Sequence, residues 1–527
     1  MTSPHPQGAS LHPPGASPHP PGAAPPPGCP AHAHTPGGAE PFAAAASPGG
    51  AEPFTTAHTA VTAEPFAVAG SHGGADPYAL PQAQQDRSAA GPGGHPLDGA
   101  GLDTLVRLYD PEFAADPHRY YAHLRRYGAL APVEVAPGVT AMLVTDYRAA
   151  LELLNDDTTW SKDSRAWMET VPPDSAVVPM LGWRPNALFN DGEVHRRYRQ
   201  VITDSFRLVE PHELRARVRH AADTLIRGFG ATGKVDLVAQ YAQLLPMLMF
   251  NDLFGMPDSY GPQLIAAVGG LMDGASPEEA NSANAAFEAY IMEMVATKKA
   301  QRGPDVTSWF MDHPNGLSDE EVIAQIVLTM AAGNEPLGNL IGNALSRMLS
   351  DDRYYSTLSG GALTARDAIE EVLWNDPPMS NYSAHYPRRD VFFHGTWVRS
   401  GQLVLVSYAA ANTQAGAVQL EAGRSGGGAH LSWSSGPHAC PVQRHALVIA
   451  TTAIERLTAW LSDIELAVPA QRVEWRPGGF QRALAALPAR FTPITPNQAG
   501  ATPWDSSPSP STRPDQTSTP RQPASAS

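Results

Sequence analysis

Residues 431 to 445 read LSWSSGPHACPVQRH, and they hold Cys440, the single cysteine outside the proline-rich tail that carries Cys29. Pro441 suits the first position of a helix, where its missing N–H would be unsatisfied anyway. Cys440 then stands at a helix mouth, where free N–H groups and the positive end of the helix dipole lower a thiol pKa. A lone cysteine also reads as a buried inert thiol or as a nucleophile, although no neighbour in sequence is placed as its base. Gly436 and Pro437 make the preceding stretch a turn, and the missing side chain at Gly436 lets the backbone approach something large and flat. In DGEVHRRYRQ (191 to 200), His195 and Arg199 lie four apart on one helical face, where both can donate to an anion. That face also reads as a solvated basic helix, and His438 as a turn histidine.

Two helices must position these groups. From Ser318, SDEEVIAQIVLTMAAGNEPLGNLIGNALSRML opens with a capping box, Ser318 and Glu321, and places Val322, Ile326, Met330, Leu337, Leu340, Ile341, Ala344, Leu345 and Met348 near helical spacing. After Cys440, the residues Val442, Ala446, Ile449, Ala450, Ala453, Leu457 and Trp460 mark a second apolar stripe. Strand-like runs are short, TAMLVT at 140 to 145 and GQLVLVSY at 401 to 408. The expected fold class is mainly α with small β-sheets.

Composition sets the outer limits. The chain of 527 residues, 42% hydrophobic, can bury a large core even after its ends are set aside. A net charge of −16 leaves no broad basic surface for a phosphate backbone, so no nucleic-acid partner is expected. Two cysteines make no disulfide framework, which suits a cytoplasmic location. No transmembrane segment and no signal sequence are expected, since no run of about 18 apolar residues occurs.

The first hundred residues are built from repeats: HPQGA, HPPGA and HPPGA from His5, His12 and His19, then AEPF from Ala39, Ala51 and Ala63 with the variant ADPY from Ala75. So little apolar content cannot offset the entropy of ordering a chain this rich in Pro and Gly. The expected organisation is a disordered tail over 1–100, one large domain over 101–496 and a second Pro/Ser/Thr-rich tail over 497–527. The evenly spaced Phe and Tyr residues of the repeat read either as contact points for a partner or as the product of repeat slippage.

The stretch from Trp433 to Pro441 resembles the haem-ligand loop of the cytochromes P450: an aromatic, two residues, Gly, any residue, His or Arg, any residue, Cys. The resemblance runs from about Asp103 to Pro496 in the family's order, including an opening helix at 109 to 128 and an early strand and helix at 143 to 163. It implies the cytochrome P450 fold, haem b as cofactor, and Cys440 as the axial ligand to iron. It further implies that His195, Arg199 and His438 hold haem propionates and that His385 stands where the family has another propionate arginine, a titratable contact in place of a permanent charge, with Gly436 in the ligand loop. Ala332-Gly333-Asn334-Glu335-Pro336 resembles the oxygen-binding segment, in which Glu335 matches the acid, Gly333 the glycine, and Pro336 replaces a threonine whose hydroxyl relays protons. Pro336 also removes a helical N–H, so the helix is expected to open there. Glu371 matches the family's Glu-x-x-Arg glutamate, but Trp374 stands where the arginine belongs. The readings are that Trp374 donates its indole N–H to Glu371, or that Arg424 substitutes. Val442 fills a position that is usually glycine. An actinobacterial subgroup encoded beside small-GTPase operons called conservons shares the tryptophan.

The function so implied is monooxygenation of a small organic substrate with dioxygen, with electrons from a separate ferredoxin or flavodoxin. The alternative is a haem-binding regulatory or scaffold protein with weak or no turnover, its tail engaging signalling proteins. Substrate-pocket residues are expected among 161 to 188 and 241 to 275.

Overall fold

The computed structural model describes residues 105–494, apart from 174, 265–276, 355–362 and 422–427. The two tails, the residue Arg424 and part of the 241 to 275 pocket segment lie outside the described residues. Helices dominate, and three small sheets complete the fold.

The longest helix is Asp319–Ser350, and its capping box forms as its residue types require: Ser318 Oγ accepts from Glu321 N at 3.2 Å and Glu321 Oε2 accepts from Ser318 N at 2.8 Å. All nine apolar positions expected to face inward are buried. This helix packs against Leu244–Leu253, Ala365–Asn375 and Gln443–Trp460, and together they form the largest apolar cluster. Helix Pro211–Phe229 closes that cluster from the other side of Gln443–Trp460, locked by a buried ion pair in which Arg456 Nε and Nη2 reach Asp223 at 2.6 and 2.9 Å.

The expected opening at Pro336 does not interrupt the helix, which runs unbroken through all 32 residues. Packing along most of one face holds the turn, so the missing N–H of Pro336 is absorbed without a break.

The main sheet has six strands in the order Val106–Arg107, Leu130–Ala136, Val139–Val144, Val404–Ser407, Asn381–Pro387, Trp160–Ser161. The two runs expected as strands are the central pair, joined in parallel with Met142 opposite Val404. At the far edge, Trp160 and Ser161 pair antiparallel with Pro387 and Tyr386, which brings residues 160 to 163 beside 383 to 387. Strand Asn381–Pro387 is irregular there: its register slips between Tyr382 and His385, and Ser383 adopts a left-handed φ of 53°.

Candidate haem site

The Cys440 loop is a tight local structure. Cys440 N donates to Trp433 O at 2.8 Å, Ala439 N to Gly436 O at 3.1 Å, and Gly436 through His438 form one 3₁₀ turn. The following helix starts at Gln443, two residues later than Pro441 predicts, with Val442 as its cap. Cys440 therefore precedes the helix by a turn, with the sulfur facing the Val442 N–H.

The expected lowering of the thiol pKa does not occur in the protein alone. Burial pushes the Cys440 thiol up, and the Val442 N–H and the Arg199 charge pull the other way without cancelling it. A metal ion bound here would favour the thiolate, since a coordinating thiol is deprotonated outright. Among the described residues no three His, Cys, Asp or Glu side chains converge on a metal. One thiolate suits a metal that brings its other ligands with it.

Gly436 also serves a contact that the sequence did not announce. It sits at φ +69°, and a Cβ there would lie 2.2 Å from the carbonyl oxygen of Leu154. The glycine lets the ligand loop close against helix Tyr147–Asn155; Asn155 Nδ2 adds a 3.1 Å bond to Ser435 Oγ.

Helix Gly192–Arg207 aims its predicted face at this loop. The His195 ring stacks on His438 with centroids 4.0 Å apart and planes inclined by 30°, and Arg199 Nη2 donates to the carbonyl of Ala439. His195 is buried, its Nε2 has no partner, and burial drives its pKa down to about 3 with the His438 and Arg199 charges adding to the effect. His385 is fully enclosed as well: its Nδ1 lies 2.6 Å from Ser383 O, and burial first, then the Lys162 charge, push its pKa well down. Asp191, at the start of the same helix, accepts from Ser161 Oγ at 2.5 Å, from Lys162 N at 3.1 Å and from Arg388 Nη2 at 3.0 Å. Its carboxylate lies 3.7 Å from His438 Nε2, and these hydrogen bonds hold it well below the usual carboxylate range against the opposing effect of burial.

The structure thus gathers His195, Arg199, His385, His438, Gly436 and Cys440 in one region. Sequence reasoning passed over Lys162, Ser383 and Asp191, which complete it. Asp191 opens the stretch DGEVHRRYRQ and Lys162 sits in TTWSKD, yet nothing in their spacing marks them, because the sheet edge alone brings their segments together.

The oxygen-segment residues form a separate cluster. Glu335 is held by Arg476 Nη2 and by Gln481 Nε2 at 2.7 Å. Gln481 Oε1 in turn accepts from Asn339 Nδ2 at 2.7 Å, and Asn339 Oδ1 accepts from Gln243 Nε2 at 2.8 Å. Gly333 is needed for packing on helix Leu244–Leu253, since a Cβ there would fall 2.5 Å from Phe250 Cζ. Arg476 and Gln481 belong to the 475 to 484 segment, joined by a bridge from Trp475 to Leu484, and were not foreseen.

Glu371 finds partners other than those expected. Arg347 Nε lies 2.7 Å from Oε2 and Arg353 Nη2 3.0 Å from Oε1. The indole Nε1 of Trp374 is buried without a hydrogen-bond partner, and its ring meets His430 edge-on at 5.7 Å. The proposed Trp374 to Glu371 bond is therefore absent: three residues along the helix, the indole turns inward while the carboxylate turns to the two arginines.

A single thiol in a tight loop, with stacked imidazoles and Arg199 on the same loop and a mainly helical scaffold around it, suits a haem-thiolate type of protein. No protein-family model matches the chain. The relatives agree with the geometry. Cytochrome P450 107B1 of Saccharopolyspora erythraea is 27% identical over 396 residues, 72% of this chain and 96% of that protein. Vitamin D(3) 25-hydroxylase of Pseudonocardia autotrophica is 27% identical over 394 residues, 73% of this chain and 96% of its own. The solved CYP154C4 of Streptomyces sp. ATCC 11861 superposes with a TM-score of 0.66 at 27% identity, covering 74% of this chain and 98% of that one. CYP154A1 of Streptomyces coelicolor A3(2) gives 0.64 at 27% identity, over 74% and 100%. The chain has the cytochrome P450 fold and belongs to the cytochrome P450 superfamily, as an oxidoreductase of the monooxygenase type. Among the described residues, no helix is long and apolar enough to cross a membrane.

Proposed function

We propose that the chain binds haem b through Cys440 and oxidises a small organic substrate with dioxygen in the cytoplasm, drawing electrons from a separate ferredoxin or flavodoxin. The observation that carries this reading is the convergence of His195 and Arg199 on the Cys440 loop, with a buried His195 Nε2 left unpartnered. When bound, the haem iron supplies dioxygen activation favoured by its thiolate ligand. The chain supplies the rest. His195, His438 and His385 would hold the propionates together with Arg199, which spends one of its five N–H groups on Ala439 and keeps the others.

Proton delivery is the altered part. Glu335 can hold a proton, but its carboxylate is engaged by Arg476 and Gln481, and no hydroxyl stands at Pro336 to pass that proton on. Reduction of dioxygen should then outrun substrate oxidation, and Pro336→Thr should raise the product formed per NADPH consumed. Wild-type product formation that matches NADPH consumption overturns this point.

The reduced protein treated with carbon monoxide should show a red-shifted Soret band that Cys440→Ser lacks; absence of haem absorbance in the wild type overturns the reading. The engaged Glu335 and Pro336 favour a second reading, a haem-bound regulatory or scaffold subunit in a signalling complex, consistent with the Trp374-bearing conservon subgroup. Sustained product formation by the wild type with ferredoxin and reductase excludes that role as the sole one.

A further inference from the structure

Lys162 has a side chain that the reading above leaves without a task. It is 4% exposed, in the seam between strands Trp160–Ser161 and Asn381–Pro387. Its Nζ donates to Ser383 Oγ at 3.0 Å and to the carbonyl of Ala384 at 2.9 Å. Both acceptors are neutral. The nearby Asp191 carboxylate does not pair with the ammonium but takes the main-chain N–H of Lys162, the Ser161 hydroxyl and Arg388. An ammonium buried beside neutral acceptors alone is strongly disfavoured unless an anion joins it, and burial accordingly pulls the Lys162 pKa down to about 7.

The strand is bent to receive this ammonium. Ser383 takes a positive φ that a non-glycine residue adopts only under strain, and the sheet register slips across Ser383 and Ala384. That bend precedes His385 by two residues, and His385 stands where the family resemblance places a permanent cation. The His385 ring is turned back to its own strand, with Nδ1 on Ser383 O. A second, independent group in the same cluster lacks a partner: His195 Nε2, buried and stacked on His438. Asp191 takes the Lys162 main-chain N–H and lies 3.7 Å from His438 Nε2, His438 stacks on His195, and Lys162 and His385 both bond Ser383, so these groups adjoin one another.

We propose that Lys162 is the cation that holds a haem propionate in this chain, displaced from the strand position now filled by His385 to the neighbouring strand edge that pairs beside it. The assignment rests on the haem reading and adds to it a residue that the ligand-loop resemblance does not supply. The competing role for Lys162 is a staple between two strands, independent of any anion.

The test uses the full chain loaded with haemin or with haemin dimethyl ester, and follows release of each to excess apomyoglobin. With haemin, Lys162→Gln and Lys162→Met should release cofactor roughly 10- to 100-fold faster than wild type, the range of one hydrogen bond to a charged group. Lys162→Arg should keep slow release, and adding His385→Arg to Lys162→Gln should restore it. With the diester, whose carboxylates are blocked, wild type and Lys162→Gln should release at indistinguishable rates. Equal haemin release from wild type and both neutral variants overturns the assignment while leaving haem binding intact, and the same ratio with both cofactors shows a staple only. A wild type that takes up neither cofactor overturns the haem reading and this assignment with it.

Discussion

Replacing Gly436 by alanine probes how closely the ligand loop must approach helix Tyr147–Asn155. Two costs add. The backbone sits at φ +69°, where an L side chain costs about 1–2 kcal/mol. The new Cβ would also lie 2.2 Å from the Leu154 carbonyl oxygen, 3.0 Å from Asn155 Oδ1 and 3.1 Å from the Leu154 carbonyl carbon. Two of those three atoms are backbone, so no rotamer change relieves them. The loop must move off the helix and loosen the Asn155 to Ser435 bond, an overpacking cost of about 1–3 kcal/mol. Gly138→Ala is the matched control, because Gly138 has φ +75° with nothing within 4 Å of its Cβ and carries only the backbone cost. Urea denaturation should therefore show Gly436→Ala less stable than Gly138→Ala by about 1–3 kcal/mol. Equal destabilisation by the two variants would refute the close approach, and with it the claim that this helix fixes the position of the thiol.

Arg456→Met should cost about 3–5 kcal/mol in the same assay, because it leaves the buried Asp223 carboxylate with the Trp460 indole N–H at 2.9 Å and no counter-charge; a loss under about 1 kcal/mol would show the pair to be dispensable. A double-mutant cycle between Arg347→Ala and Glu371→Gln should give a coupling of about 0.5–1 kcal/mol, while Trp374→Phe with Glu371→Gln should couple by less than about 0.5 kcal/mol; the reverse order would restore the indole bond to Glu371. Glu321 is held down to about 2, from an ordinary glutamate value of 4.5, first by the Arg197 hydrogen bond and then by the Ser318 N–H and Tyr198 hydroxyl, against burial. Its folded pKa is depressed, so its contribution is present above pH 4.5 and is lost as pH falls from there through about 2. Solvent screening keeps that contribution to about 1 kcal/mol at neutral pH, and Glu321→Gln should flatten this part of the acid limb of stability; an unchanged acid limb in the variant counts against the pairing.

The periodic elements were legible because their signals are local. The capping box at Ser318 and Glu321 and the apolar positions after it specify a helix from one stretch of chain, and the structure places all of them as read. Cys440, His195, Arg199 and His438 were legible through a compact pattern of types and spacings, and they meet in space. What escaped depends on long-range pairing. Lys162 and Ser383 are 221 residues apart and touch only because strand Trp160–Ser161 adds to the edge of the main sheet. Arg476 and Glu335 are 141 apart and meet through an irregular segment that no periodicity announces. The pKa of Cys440 was misjudged for a related reason: the helix mouth is a local feature, whereas burial, the larger effect, comes from the whole fold.

Two of the departures from the family pattern then have a common physical answer. Losing an arginine that pairs a buried or half-buried carboxylate is destabilising only if nothing replaces the charge. Glu371 lacks the arginine three residues on, yet Arg347 and Arg353 reach both of its oxygens from the end of the long helix and the residues just beyond it. His385 lacks a permanent charge, and Lys162 brings an amine to the same bend of the strand that an anion beside it would keep charged. Decay by drift would remove charges without regard to where their partners remain, leaving buried carboxylates and strained turns unsupported. Here the substituted positions are backed by cations from other segments, and Ser383 stays in a strained conformation that accommodates one of them. That pattern argues for a site whose supports were rebuilt around a retained ligand loop. It leaves Pro336 as the departure without a replacement, since Arg476 and Gln481 engage Glu335 but neither puts a hydroxyl where the threonine stood. Cofactor binding and proton delivery are therefore separable in this chain, and variants at Lys162 and at Pro336 should affect one each: Lys162→Gln the rate of haem release, Pro336→Thr the yield of product per electron.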